Sequence, residues 1–381
     1  MGNPTFTFCV PNLNKVDFLP ACIESILKQD CSDWCCVFVD GYSTDGSWEY
    51  MQQFSDDPRF KLLRGLRKGM YADWNECLTH VETEYFYFLT SDDTCFPTLV
   101  SATTSQLDQY PDVDACHFQF AYIDVQGTMT RSPQDIIQHQ FPLYADINQI
   151  PHRRSGLCEF VMHYAYRAPY VTITSLVFRR CLIEKLEGFR LNYGSSGDYD
   201  WTMRLCLETD ILYLPKLLAT WRIYDGQATT GGRSPQVAKR GLEIASHNLS
   251  EFLERNTHHS TVHQVLTPSQ LLAHLAYEYD FRLYKDSLKE KNVKKIVVLI
   301  AQLFSKYPRL FATHLWSRLL KSKEFNIHQS RTSFAQRLIR DHQLQWPPTA
   351  IPSQYLDVIK TKAPNPVSPA VQAAQDLEGY V

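Results

Sequence analysis

This chain has three groups of acidic residues at the ends of distinctive segments. Two groups lie at the ends of apolar segments that are predicted to be strands, and the third follows a glycine-rich stretch. Asp40 ends the second apolar segment, Asp92 and Asp93 follow the segment that begins at Tyr85, and Asp198 follows the glycine-rich stretch. Carboxylates bind divalent cations, and a carboxylate can also take a proton from an attacking hydroxyl group. Each acid alone could equally cap a helix or form a turn. Together they indicate a site that combines cation binding with general-base catalysis.

The elements that must position these acids alternate along the first part of the chain. Continuous apolar runs predict strands at 5–11, 34–40, 60–63, 85–89, 171–178 and 211–214. Helical spacing of apolar residues predicts helices at 17–29, 48–54, 70–81, 181–186 and 199–208, and a hairpin is predicted to turn at 126–127. Strands that are apolar throughout are typical of a largely parallel sheet covered on both faces. Ligands of such sheets lie beyond the carboxyl ends of the strands, where the acidic groups fall.

The sequence pattern changes after about residue 232. Apolar residues at helical spacing predict an all-helical region over 233–345, and the prolines of 346–381 predict a mobile tail. The first unit, 1–232, is predicted to be the catalytic domain.

The eleven cysteines include no CxxC pair, which favours reduced, buried thiols.

Charge and hydropathy restrict the partners and the location. A formal net charge of −3 gives no reason to expect nucleic acid. No signal peptide is visible and the longest apolar stretch, 296–304, is too short to span a bilayer, so a cytoplasmic protein is expected. Residues 285–323 carry ten Lys or Arg and two acids, interleaved with apolar residues. They predict either attachment to the inner face of the membrane, with Phe311 and Trp316 inserted, or packing on the catalytic domain.

The spaced motifs of residues 4–230 resemble those of the family 2 glycosyltransferases. They are VPNLN at 10–14, VDGYSTDGS at 39–47, FLTSDD at 88–93 and GDYDW at 197–201. The resemblance implies an α/β protein of the GT-A type, with a Rossmann-like, mostly parallel mixed sheet and helices on both faces. It also implies a nucleotide-sugar donor, preferably a UDP-sugar, a glycan or lipid-linked acceptor, and inversion at the anomeric carbon.

The resemblance also assigns roles to individual residues. Asp198 matches the general base, and Asp92 matches the acid that binds Mg²⁺ or Mn²⁺ together with the diphosphate. The expected donor-binding residues are Pro11, Asn12, Asp40, Asn75, Ser91 and Asp93.

Three positions depart from the family pattern. Thr90 replaces the first acid of the metal motif, Gly197 replaces the acid before the base, and Tyr224 replaces a histidine near the end of the domain. The missing carboxylate leaves an alternative open, in which the chain is a degenerate GT-A module that binds sugar nucleotides or a membrane surface without catalysis.

Overall fold

The computed structural model describes residues 4–166, 169–227, 234–255, 268–312 and 327–352. Its strands are β1 Phe6–Asn12, β2 Trp34–Asp40, β3 Phe60–Arg64, β4 Tyr85–Phe88, β5 Ala115–Ile123, β6 Met129–Arg131, β7 His152–Arg154, β8 Leu176–Arg179, β9 Ile211–Arg222 and β10 Thr349–Ala350. The helices before residue 210 are α1 Leu19–Leu27, α2 Ser47–Gln52, α3 Met70–Leu78, α4 Leu99–Gln109, α5 Pro133–Gln140, α6 Gly156–Tyr166, α7 Cys181–Leu186 and α8 Gly197–Glu208. Those after it are α9 Pro235–Arg255, α10 Pro268–Lys289, α11 Val293–Lys306 and α12 Ile327–Asp341.

The described strands form one mixed sheet in the order β10-β7-β9-β5-β8-β4-β1-β2-β3, with β6 paired to β5. Strands β4, β1, β2 and β3 are mutually parallel, as the apolar runs predicted. Strand β8 runs antiparallel to both of its neighbours, β4 and β5. The α/β fold with helices on both faces is therefore confirmed.

Both faces of the sheet are buried because successive strand residues belong to opposite cores. Phe8 and Val10 of β1 pack in the core beneath α1 and α4, while Cys9 packs in the core beneath α3 and α8. The side-chain period of two in a strand produces this separation. Continuous apolar strands are what such two-sided burial requires.

Two predicted strands have other bounds in the structure. Residues 173–175 form a 3₁₀ turn before β8, because the Thr172 side chain accepts a hydrogen bond from the Thr174 amide. Strand β9 continues past 214 to Arg222, since it stays paired with β5 through two register shifts. The glycine-rich stretch is a 3₁₀ helix over Leu191–Ser196, and Gly197 begins α8.

Where the structure describes it, the region from Pro235 to Asp341 is largely helical, and it packs on the first part of the chain. Helices α10 and α12 both contact α6. The first residues of the predicted tail are not a free segment, because Thr349–Ala350 pair with β7 and the Trp346 ring packs on Tyr144 at 5.3 Å. The other residues of the tail, 353–381, lie outside the described residues. The domain boundary at 232 remains a prediction.

Candidate active site

The carboxyl ends of β1, β2 and β3 bring three polar residues side by side. Asn12 pairs with Asp40 in the strand register, and Asp40 pairs with Arg64. The Asn12 amide donates to Asp40 Oδ1 at 3.0 Å, and Arg64 Nη1 donates to Asp40 Oδ2 at 2.5 Å. Pro11 is buried one position before Asn12. The predicted donor-binding residues Pro11, Asn12 and Asp40 are thus brought together.

Asp40 is completely buried, so its carboxylate holds neighbouring groups in place. Besides Asn12 and Arg64, it accepts a hydrogen bond from the Ser43 amide at 2.8 Å. The Arg64 guanidinium lies 3.9 Å from the Trp48 ring centroid and keeps 30% of its side chain exposed. Unlike Asn12 and Asp40, Arg64 is therefore partly open to solvent. A direct contact of Asp40 with the base remains a prediction.

A buried acid that the sequence did not single out lies beside Asp40. Asp73 of α3 is 4% exposed, and its Oδ1 has no hydrogen-bond partner among the described residues. Burial, and then the charge of Asp40, raise the pKa of Asp73 to about 6. A Cβ at Gly65 would lie 2.2 Å from Oδ1, so a residue without a side chain is required there. In the sequence, Asp73 is marked only by its place between the apolar residues Ala72 and Trp74 in a predicted helix.

The two acids after β4 have different surroundings. Asp93 is buried and accepts from Thr90 Oγ1 at 2.5 Å and from the Arg222 amide at 2.7 Å. Burial, and then the charge of Asp92, raise the pKa of Asp93 well above its ordinary value. Asp93 therefore joins the end of β4 to the end of β9. The neighbouring Ser91 is also buried.

Asp92 faces a different pair of groups. Its Oδ2 accepts a hydrogen bond from Tyr224 Oη at 2.6 Å and lies 3.7 Å from Lys15 Nζ. Lys15 Nζ also donates to Tyr224 Oη. Tyr224, which replaces the family histidine, thus contacts the predicted metal ligand directly. Lys15 is a second residue whose place in the site the sequence did not indicate.

Asp198 lies in the first turn of α8 and is half-buried. Its Oδ1 accepts from the Tyr199 amide at 2.8 Å and from Tyr71 Oη at 3.2 Å. Burial, and then the charge of Asp198, raise the pKa of Tyr71, which keeps the phenol a hydrogen-bond donor. A Cβ at Gly197 would lie 2.9 Å from the Tyr71 ring. The ring therefore takes the space beside Gly197, where the family has an acid.

Helix α8 is fixed by its second acid, Asp200, which is completely buried. Asp200 accepts from Arg204 at 2.9 Å, from Arg190 at 3.3 Å and from Asn248 of α9 at 3.1 Å. The ion pairs with Arg204 and Arg190 and the hydrogen bond from the Asn248 amide hold the start of α8 against α9. Asp198 lies in the same helical turn as Asp200, so these contacts also help to position Asp198.

Asn75, which was predicted to bind the donor, engages the chain before α8. Its side chain donates to the Phe189 carbonyl at 2.9 Å and accepts from the Phe189 amide at 2.7 Å. Asn75 therefore positions the 188–189 turn between α7 and α8. A contact of Asn75 with the donor remains a prediction.

Two segments connect the neighbours of the three acidic groups. Residues 12–15 follow β1 and carry both Asn12, which contacts Asp40, and Lys15, which contacts Asp92. Helix α3 carries both Asp73 beside Asp40 and Tyr71, which contacts Asp198. The contacts of Asp40, Asp92 and Asp198 are therefore linked through residues 12–15 and α3.

The architecture is that of GT-A glycosyltransferases. The chain is similar to S. aureus TarS 1–349, whose crystal structure contains UDP-GlcNAc, with a TM-score of 0.52 and 16% identity over 77% of this chain and 90% of that chain. It is also similar to the mannosyltransferase PcManGT of Pyrobaculum calidifontis, solved with GDP-Man and Mn²⁺, with a TM-score of 0.50 and 15% identity over 89% and 86% of the two chains. At these identities the likeness shows the fold.

Residues 7–166 match the family model described as Glycosyl transferase family 2. The match covers about two-fifths of this chain, and over these residues the resemblance drawn from the motifs is confirmed.

Curated relatives with similar sequences are named as glycosyltransferases. The PGL/p-HBAD biosynthesis glycosyltransferase of Mycobacterium tuberculosis is 33% identical over 98 residues, which are 25% of this chain and 38% of the relative. The putative colanic acid biosynthesis glycosyl transferase WcaA of Escherichia coli is 25% identical over 211 residues, 54% of this chain and 68% of the relative. The chain thus spans about two-fifths of the length of the mycobacterial relatives.

Proposed function

We propose that this chain is an inverting glycosyltransferase that moves a sugar from a nucleotide-sugar donor to a hydroxyl group of a glycan or lipid-linked acceptor. The observation that carries the proposal is the pair of shared segments, residues 12–15 and α3, which join the neighbours of Asp40, Asp92 and Asp198. A transferase of this kind needs a nucleotide pocket, a group that stabilises the diphosphate, and a base, and these three acids supply candidates for each.

In the proposed reaction Asp198 is the general base. The acceptor oxygen attacks the anomeric carbon from the side opposite the diphosphate, and the bond from that carbon to the diphosphate oxygen breaks. The acceptor proton passes to the Asp198 carboxylate, and the nucleoside diphosphate leaves with the bonding pair. A single displacement of this kind inverts the anomeric carbon. The hydrogen bonds from Tyr71 and the Tyr199 amide hold the carboxylate for this transfer.

We infer that the donor's nucleoside part lies at the ends of β1, β2 and β3. Arg64 offers hydrogen-bond donors there, and Asn12 Oδ1, which has no partner among the described residues, offers an acceptor. The buried Asp40 and Asp73 complete the floor. TarS has been solved with UDP-GlcNAc and PcManGT with GDP-Man, so both nucleotides are relevant probes. We favour a UDP-sugar, with the Ser91–Asp92 segment toward the diphosphate.

Mg²⁺ or Mn²⁺ is proposed to assist at Asp92. Magnesium is commonly held by one or two carboxylates, water and substrate phosphate oxygens, and Asp92 supplies one such carboxylate. Asp93 does not fit as a ligand, because Thr90 and the Arg222 amide occupy its oxygens. No cluster of three or more candidate metal-binding side chains occurs within the described ranges. A bound divalent cation would neutralise charge that develops on the leaving diphosphate.

We propose that helix α11 attaches the enzyme to a membrane surface that presents the acceptor. Its exposed residues Val293, Val297, Ile300 and Phe304 recur at helical spacing on one side of the helix, with Phe304 63% exposed. Lys294 and Lys306 also lie on this helix and attract anionic headgroups. The predicted insertion of Phe311 is wrong, because Phe311 is buried against α10, while Trp316 lies outside the described residues. In the part of the chain that the structure describes, no helix has the length and hydropathy needed to cross a bilayer.

A donor screen tests the proposed function. Purified protein is incubated with UDP-, GDP- and dTDP-sugars, with and without Mn²⁺, and both thermal stabilisation and release of the nucleoside diphosphate are measured. We expect one donor to stabilise the protein and to release its nucleoside diphosphate. The release should be faster when an acceptor is present. Stabilisation without any release, with lipid or glycan acceptors supplied, would favour the degenerate binding module instead.

A further inference from the structure

Lys15 has a position that neither the motifs nor the family resemblance assigned. It follows β1, and its main-chain amide donates to Ser47 Oγ at 3.2 Å, which fixes its backbone against α2. Its ammonium group lies 4.8 Å from the centre of the Tyr224 ring and 3.7 Å from Asp92 Oδ2. The Lys15 side chain is 27% exposed, so it is partly accessible to solvent.

We propose that Lys15 binds the diphosphate of the nucleotide-sugar donor directly, so that donor binding depends only partly on a divalent cation. The inference rests on the proposed function and names a charge that the site carries permanently. Lys15 is a diphosphate contact in this proposal, and Tyr224 is a positioning residue that holds its ammonium group.

The charges around Asp92 support this assignment. The family pattern has a second acid where this chain has Thr90, and the Thr90 hydroxyl donates to Asp93. Asp92 is paired there with one ammonium, Lys15, at 3.7 Å, and the formal charges of these two groups cancel. A diphosphate that enters here meets a compact cation with three donor hydrogens, which suits phosphate oxygens.

Arg222 is a second cation close by, but its guanidinium is already engaged. Its Nε donates to the Asp92 carbonyl at 2.8 Å and its Nη1 donates to the Asp124 carbonyl at 2.7 Å. The same group lies over the Phe18 ring at 4.8 Å. These contacts fix Arg222 as a support for the end of β9. Lys15, by contrast, has a flexible stem and can move its ammonium from Asp92 to a phosphate oxygen.

Calorimetric titration with UDP and with GDP, each in Mn²⁺ and in EDTA, tests the inference without relying on turnover. In EDTA, we expect wild-type affinity for the preferred nucleotide to fall by less than about 10-fold, because Lys15 still neutralises the phosphates. Lys15→Met should weaken binding about 10- to 100-fold in both conditions, as loss of a charge-assisted hydrogen bond does. Lys15→Arg should restore most of the loss.

The matched control is Lys28→Met, which removes an exposed lysine that pairs with Glu24 on the surface of α1. Far-ultraviolet circular dichroism and thermal unfolding establish that each variant is folded. Lys15→Met with unchanged nucleotide affinity, or wild-type binding abolished by EDTA, would overturn the role of Lys15 and leave the transferase proposal standing. Wild-type protein that binds neither nucleotide in Mn²⁺ would contradict the transferase proposal and this inference together.

Discussion

Asp73 carries an electrostatic cost that the fold tolerates at the edge of the proposed nucleotide pocket. Its carboxyl group lies between Gly41 and Gly65, beside the buried charge of Asp40. An acid whose pKa is raised by folding binds its proton more tightly in the folded state than in the unfolded state. The folded protein therefore loses stability from this group as pH rises through the interval between the two pKa values.

Asp73→Asn should remove this pH dependence. The pKa of Asp73 rises from 3.8 to about 6, so wild-type protein should lose stability relative to the variant as pH rises from about 4 to about 6. Above that interval we expect the variant to be more stable by about 1–2 kcal/mol. Urea unfolding at several pH values measures the difference, with the exposed Asp56→Asn as the control. Curves for wild type and Asp73→Asn that stay parallel across the interval would show that Asp73 is not destabilising.

Sequence motifs identified residues whose roles are local, and they missed residues whose roles come from distant contacts. Asp92 and Asp198 could be predicted because each stands in a motif of adjacent residues. Tyr71 and Lys15 could not, because their partners Asp198 and Asp92 lie 127 and 77 positions away and only the folded sheet brings them together. Asp93 was predicted as a donor contact, and in the structure its carboxylate accepts a hydrogen bond from the Arg222 amide, 129 positions away.

At the scale of elements, α3 and α8 meet through the Tyr71 ring. The ring packs beside Gly197 and its hydroxyl donates to Asp198, so one side chain both sets the distance between the helices and orients the proposed base. The departure at position 197 follows from this packing. A larger residue there would require the ring to move.

Tyr71→Phe should leave the packing intact and remove only the hydrogen bond. We expect kcat to fall about 5- to 50-fold while the KM for the donor changes little, since one hydrogen bond to a charged group is lost on the acceptor side. Steady-state kinetics with the identified donor measures both constants. Tyr193→Phe, which removes a hydroxyl that contacts His247 instead, is the control and should stay near wild type. An equal loss in both variants would mean that Tyr71 acts only through general packing.

Strand bounds could be predicted where burial alone decides them. Strands β1, β2 and β4 follow their apolar runs closely, because a strand buried on both faces leaves a continuous signal. Strand β9 is longer than its run because pairing with β5 extends it, and the two residues of β10 are too few to leave a pattern. Strand bounds that depend on pairing with a distant segment cannot be predicted from the pattern of one segment alone.

At the scale of the whole molecule, the helical region has two functions in this account. Asn248 and Glu251 of α9 bind the Asp200–Arg190 cluster, which fixes α8. Helix α11 buries Leu299 and Leu303 and exposes its valine and phenylalanine residues. The sequence predicted a basic, apolar region here, but it could not separate the face that packs on α10 from the face that remains open.

Replacing Val297 and Phe304 together by Ser should weaken binding to vesicles of phosphatidylglycerol and phosphatidylcholine by about 10-fold or more, because two exposed apolar side chains no longer insert. Co-sedimentation of the full chain at low and high salt measures the effect, and wild-type binding should fall as salt rises. Ile150→Ser with Leu157→Ser removes two exposed apolar residues elsewhere and should bind as wild type does. Equal binding by both double variants would place membrane contact elsewhere.

Substitution of Asp198 tests whether this carboxylate takes the proton of the acceptor hydroxyl group. Asp198→Asn keeps the size of the side chain and can still accept from Tyr71, so donor affinity measured by calorimetry should remain within about 3-fold of wild type. The rate of sugar transfer to the acceptor, measured as product formation at saturating donor, should fall about 1,000-fold or more. Transfer within about 10-fold of the wild-type rate, with donor affinity unchanged, would contradict the account, because a glycosyltransferase that works without this carboxylate must take the proton elsewhere.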